Sequence, residues 1–130
     1  MKSVPFDFVL EAIHNLTPYT KPMFGCTAVY VDLKIIFILR DRESFLEDNG
    51  IWVATTAEYV DSLKKDFPSL RSLKMFGPKS TVWQVLPSSA TDFEESANKL
   101  CDLVLSKDPR IGKIPNSKAA KKKRKTSPSS

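Results

Sequence analysis

Long apolar runs are missing from this chain. The longest, residues 35–39, has the length of a buried strand and falls far short of the ~20 residues that a membrane-crossing helix needs. The opening MKSVPFDFVLEA offers an early lysine, but Asp7 and Glu11 interrupt what a secretory leader keeps apolar. Nothing there directs export. Cysteine is scarce as well: Cys26 and Cys101 stand far apart with no Cys-x-x-Cys spacing, which excludes a disulfide framework. With His14 as the single histidine they make no zinc site either. The expectation is two reduced, buried thiols in a reducing cytoplasm. Only four glycines occur, in neither the dinucleotide-binding nor the P-loop arrangement, so a phosphate-cradling loop is not expected.

What the chain does contain is ordinary globular material. At 130 residues it has room for one domain, with 42 % hydrophobic and 27 % charged residues. Its charge is unevenly placed. The total is +5, yet residues 1–106 hold 11 basic and 14 acidic side chains, a net −3. Residues 107–125 hold nine Lys or Arg against Asp108 alone, a net +8. The division expected is therefore a mildly acidic domain over residues 1–106 and a basic tail over 107–130. From Lys107 on there is no apolar periodicity, and a Lys, Ser, Pro, Asn and Ala composition does not offset its own ordering entropy, so the tail is expected to be disordered.

Within the domain the apolar period changes twice. Ser3, Pro5 and Asp7 suit a helix start, and Phe6, Val9, Leu10, Ile13 and Leu16 share one helical stripe. Residues 15–22, with two prolines, predict a loop. A period of two over 23–32 predicts a first strand with Gly25 as a bulge or close approach, and 35–40 a central second strand. Asn49-Gly50 is a turn signal before a third strand at 51–55. Thr55-Thr-Ala-Glu58 has capping-box spacing, predicting a helix with Val60, Leu63 and Phe67 on one face. Residues 70–76 and 81–86 predict strands four and five. A last helix, with Phe93, Ala97, Leu100 and Val104 at helical spacing, ends near Ser106. The order α-β-β-β-α-β-β-α with short connections predicts an α+β fold on an antiparallel sheet.

Chemistry is sparsely signalled. His14 lies off the apolar stripe and reads as a solvated surface histidine, so no catalytic residue, metal ligand or cofactor is expected. Asp41, Glu43, Glu47 and Asp48 read as a solvated acidic turn, since a calcium loop needs its internal Gly and terminal Glu. Trp52 and Trp83 read as core residues of strands. The dense basic block of Lys118, Lys121, Lys122, Lys123, Arg124 and Lys125 is the feature with an obvious physical partner: nucleic acid, an acidic protein or an anionic surface. Lacking interleaved aromatics, that block has no means of reading bases. It also passes for a nuclear-localisation cluster, or for a solubilising tail. In the domain, only Lys64, Lys65, Arg71, Lys74 and Lys79 are dense enough to build a basic face.

The stretch Lys21-Pro-Met-Phe-Gly-Cys-Thr-Ala-Val-Tyr-Val-Asp32, followed by Ile36-Phe-Ile-Leu39, resembles the amino-terminal domain of the TfoX/Sxy family. That family's signature runs from a basic residue and Met-Phe-Gly through a Tyr-x-Asp turn into an apolar strand. Ser80-Thr-Val-Trp83-Gln-Val-Leu-Pro87 and the closing helix are similar to the family's later hairpin strand and last helix, so the likeness spans roughly residues 5–106. The related MmcQ/YjbR family is the alternative label. Cys26 and Leu33 stand where members usually carry glycine, and the loss at 33 predicts a wider turn, because Leu is poor at positive φ. The basic tail stands where full-length competence regulators have a second domain.

The resemblance implies a secretion-chaperone-like two-layer fold, with a five-stranded antiparallel sheet and helices packed on it. It also implies a non-enzymatic, regulatory or binding role related to competence; the residues themselves lead us to expect no cofactor and no membrane association. Two functions follow as expectations. One is a cytoplasmic regulatory module acting through protein contacts, whose tail attaches it to nucleic acid or an acidic partner. The other is a direct DNA-binding domain that uses the basic face of Lys64, Lys65, Arg71, Lys74 and Lys79.

Overall fold

A computed structural model of the chain describes residues 4–23, 25–75 and 82–114. The amino-terminal apolar stripe makes only a short helix, α1 (Phe8–Ala12), and a 3-10 turn, His14–Leu16. Val9 and Ile13 are its fully buried residues. The segment expected to be a loop then forms a strand, β1 (Tyr19–Met23). Antiparallel partners follow as β2 (Cys26–Val31), β3 (Lys34–Arg40) and β4 (Gly50–Val53). After α2 (Val60–Asp66) come a two-residue strand, β5 (Arg71–Ser72), then β6 (Gln84–Pro87) and α3 (Phe93–Leu105).

The fold is thus mixed α+β, with six antiparallel strands in the order β1-β2-β3-β4-β6-β5 rather than the expected five. The additional strand escaped the sequence reading because Pro18 and Pro22 argue against a strand in general. They do not argue against an edge. Met23 and Cys26 are the closing pair of the β1–β2 ladder, and bonded pairs alternate along it, so Thr20 and Pro22 turn their backbone nitrogens away from β2. Of the strand expected at 70–76 only Arg71–Ser72 forms among the described residues, and β6 begins at Gln84; positions 76 and 81 of these expectations lie outside the described residues.

Two more local expectations change. The capping box at Thr55 does not open a helix: α2 starts at Val60, and Thr55 is fully buried with its Oγ1 unpartnered among the described residues. The β2–β3 turn is tight rather than wide, because Val31 pairs directly with Lys34. Asp32, which tolerates the left-handed region, takes φ 55° in place of Leu33.

Both sheet faces are apolar. One packs against the helices, with Val29, Phe37, Leu39, Ile51, Val53 and Leu86 meeting Val9, Leu63, Ala97, Leu100 and Val104. Each of the Val, Leu, Ile and Phe side chains among them contributes roughly 1.5–3 kcal/mol when fully buried. Phe93 anchors α3 to the amino terminus through Phe6 and Phe8, at centroid distances of 5.3 and 6.3 Å. The opposite face gathers Ala28, Tyr30, Ile38, Trp52, Leu73 and Val85.

The packed part does not stop at Ser106, where the sequence put the edge of order. Lys107, at φ 60°, closes α3 with a Schellman pair: its N–H bonds Val104 O, and the Asp108 N–H bonds Leu103 O at 2.9 Å. The chain then turns back onto the sheet. Ile111 is 4 % exposed within the helix-side core. The Gly112 N–H bonds Ala54 O at 2.7 Å, and Lys113 and Ile35 exchange both backbone bonds. Arg110 fastens the turn, donating to Asp66 Oδ2 at 2.8 Å, Ser62 Oγ at 2.9 Å and Asp108 Oδ1 at 3.1 Å. The correction has a simple cause. Two isoleucines carry no periodic signal, yet one of them fills the gap that a sheet corner leaves.

Candidate functional site

The loop joining β3 to β4, residues 41–49, is held open from within. Arg40 ends β3 with its guanidinium almost wholly buried, and it donates to three oxygens of the loop: Phe45 O (3.0 Å), Ser44 O (2.9 Å) and Asn49 Oδ1 (2.8 Å). Asn49 clasps the opposite side, accepting from Arg42 N–H and donating to Arg42 O, both at 2.9 Å. Arg42 in turn reaches across to Gly25 O at 3.0 Å, tying the β1–β2 turn to the loop.

Asp48 is the second strap, and it corrects the solvated acidic turn expected here. Its side chain is fully buried and accepts from Arg71 Nη1 (3.1 Å), Lys74 N–H (3.0 Å) and Met75 N–H (2.8 Å). Its backbone oxygen takes the Trp52 Nε1–H at 2.8 Å, and Arg71 Nη2 also donates to Glu47 O. Replacing Asp48 by Ala leaves two backbone N–H groups and a guanidinium without their acceptor. The expected cost is about 3 kcal/mol, since bonds to charged groups contribute most and orphaned partners lose their hydration. Asn should not rescue it, because part of its amide is a donor facing donors. Urea unfolding of both variants checks this; an Asn variant as stable as the parent would contradict the strap.

What the straps hold out is apolar. Phe45 takes φ 47°, a conformation rare for a bulky residue, and is 51 % exposed; Leu46 beside it is 66 % exposed. Exposed Asp41, Glu43 and Glu47 surround them, against exposed Arg42. This end of the molecule is acidic at its surface.

The other end of β3 has the opposite character. Lys34, Lys107 and Lys113 gather there against Asp32, while Asp66 and Asp108 are already held by Arg110. The Arg110 hydrogen bond holds the Asp108 carboxyl below its ordinary value. On the sheet face away from the helices, Tyr19 stacks on Tyr30, with centroids 5.2 Å apart and planes 9° from parallel. Lys21 Nζ lies 5.3 Å from the Tyr30 centroid. Lys113 Nζ lies 5.0 Å from that of Trp83, which meets Trp52 edge-on, and burial pushes the Lys113 amine below its ordinary value. A domain of nearly zero net charge is therefore polarised along its strands.

The residues expected from sequence are distributed unevenly over this frame. Lys118, Lys121, Lys122, Lys123, Arg124 and Lys125 lie outside the described residues, as does Lys79. Lys64 and Lys65 are exposed in the last turn of α2, next to Asp61 and Asp66. Arg71 spends its charge on buried Asp48, and Lys74 is exposed beside it. Sequence reasoning missed Arg40, Asn49 and Asp48. Asp48 carried a signal only as a member of an acidic run and Asn49 only as half of a turn dipeptide; Arg40 carried none.

A cleft of about 550 Å³ beside the β1–β2 turn is lined by Thr20, Pro22, Cys26, Thr27, Asp41 and Arg42. Burial raises the Cys26 thiol above its ordinary value, opposed by Arg40 and Arg42. Burial pushes Cys101 up to about 12. Neither thiol is a ready thiolate near neutral pH; both are buried and neither is in a disulfide, as the sequence led us to expect. No group of three or more His, Cys, Asp or Glu side chains among the described residues could hold a metal ion. No helix among them is long and apolar enough to cross a membrane. Comparison with family models, with curated proteins and with solved structures gave no match to this chain.

Proposed function

We propose that this chain is a non-enzymatic binding module of the TfoX/Sxy kind, a cytoplasmic regulator that meets protein partners through its folded part. Its basic tail attaches it electrostatically to nucleic acid or to an acidic partner. One observation carries the reading. With Arg110 and Lys113 taken into the fold, residues 1–114 hold 14 basic and 15 acidic side chains, while residues 115–130 hold six basic and none acidic. The tail begins at the lysine-rich end of the sheet, so its field adds to that end and opposes the other. The strapped Phe45–Leu46 loop, at the acidic end, is the natural place for a protein contact.

The second reading, direct duplex binding by Lys64, Lys65, Arg71, Lys74 and Lys79, has less behind it, because Arg71 is neutralised by Asp48 and α2 carries its own carboxylates. A salt titration of binding to duplex DNA separates the two. Replacing Lys118, Lys121, Lys122, Lys123, Arg124 and Lys125 by Gln in the full chain should abolish most affinity and flatten the dependence on salt. Six neutralised phosphates correspond to a slope of about −5 in log K against log salt. A Gln-tail variant that binds as the parent does sinks the attachment model.

A further inference from the structure

We infer that the lysine-rich end of the sheet is a platform for single-stranded nucleic acid, on which one unpaired base stacks against the open face of Tyr19. The inference rests on the tail attachment proposed above and adds what the tail lacks, an aromatic surface. Tyr19 is 43 % exposed. One side of its ring is packed parallel to Tyr30. Its Oη donates to Asp32 O at 2.9 Å, so the ring is fixed before anything binds. A rigid, half-exposed aromatic on the open edge strand β1 loses little freedom when a base is added to the stack.

The charges around it fit a phosphate backbone. Lys21 lies on the same strand and the same face, two residues along. Register then leads from Tyr19 to the tail. Tyr19 pairs with Tyr30, Tyr30 with Ile35, and Ile35 with Lys113, so one row across the sheet ends one residue before Ile114. The six basic residues beyond Ile114 start from the row that Tyr19 opens. A strand lying along this row meets Tyr19 and Lys113, with Lys21 two residues to one side of it on the same face. Bases in a duplex are already stacked on one another, so only an unpaired base can use the Tyr19 face; the phosphates of either form can use the lysines.

The test compares a labelled oligothymidylate with a duplex of matched length, at one salt concentration, on the full chain. Tyr19→Ala should weaken oligothymidylate binding about ten-fold, the effect of losing one stacked base, and leave duplex binding unchanged. Tyr19→Phe keeps the ring, loses the hydroxyl bond to Asp32, and should bind as the parent does. Thermal unfolding of both variants confirms that they fold. The Gln-tail variant should weaken binding to both nucleic acids. A Tyr19→Ala protein that binds oligothymidylate like the parent, or weakens on both probes equally, overturns the platform and leaves the tail attachment standing. A Gln-tail variant that keeps full affinity overturns the attachment instead. A parent that binds neither probe overturns both and turns the tail towards acidic proteins.

Discussion

A chain ending at Ser106 should be about 3 kcal/mol less stable than one ending at Ile114, although the segment removed looks featureless in sequence. Cutting there uncovers Ile36, Trp83 and the Ile35 backbone, and it removes Ile111 from the core. It also strips Ala54 O of the Gly112 N–H and frees Asp66 from Arg110. The sum of these losses is larger than 3 kcal/mol, but the segment regains roughly 1–2 kcal/mol of backbone freedom per residue when it is not held. A chain ending at Ile114 should unfold within about 0.5 kcal/mol of the full-length protein, as surface changes do. Urea midpoints of the three chains decide it. Equal midpoints for the chains ending at 106 and 114 would mean that the return of 107–113 onto the sheet contributes nothing.

Among the described glycines, Gly50→Ala should be the most damaging, costing about 4 kcal/mol. Gly50 sits at φ +141°, and a Cβ there would fall 2.1 Å from Leu86 O and 2.8 Å from Ser88 N. Both are backbone atoms of the β4–β6 connection, where Gly50 faces Pro87 and the Ser88 N–H bonds Asn49 O at 2.8 Å. Neither can swing aside without pulling β6 off β4. Overpacking and backbone strain each contribute about 1–3 kcal/mol in such a place. Gly25→Ala is the instructive control. There the obstacle is Arg42 Nη1, the far end of a long side chain that can swing aside by giving up its one bond to Gly25 O, and the φ of +75° adds about 1–2 kcal/mol. The two variants compared by calorimetry should differ by at least a factor of two in lost stability; equal losses would contradict the assignment.

The same glycine shows how far the sequence could be read. Asn49-Gly50 was legible as a place where the chain needs unusual backbone, and that much holds. A turn dipeptide and a strand-opening glycine against a neighbouring backbone look alike in one dimension, because the obstacle, Leu86 O, is 36 residues away. The α+β class, the strand expected at 35–40 and found at Lys34–Arg40, and the amphipathic α3 were visible because each has a period long enough to count. The straps were not. Arg40 reads as the polar end of a strand and Asn49 as a turn former; their burial follows from the loop folding back over them, which no local pattern encodes. The tail's charge was legible in full, but its boundary was not, since Arg110 and Lys113 look like tail residues until Asp66 and Ile35 are placed beside them.

The prolines of the edge have a consequence for many copies at once. Along β1 and the residue before it, the outward-facing positions are Pro18, Thr20 and Pro22, so Thr20 supplies the one outward N–H. The far edge, β5, is two residues long. A strand arriving from another molecule finds almost no donors on the first edge and almost no length on the second. Crowded copies of this fold are therefore poorly equipped to join edge to edge and extend one sheet into a ribbon.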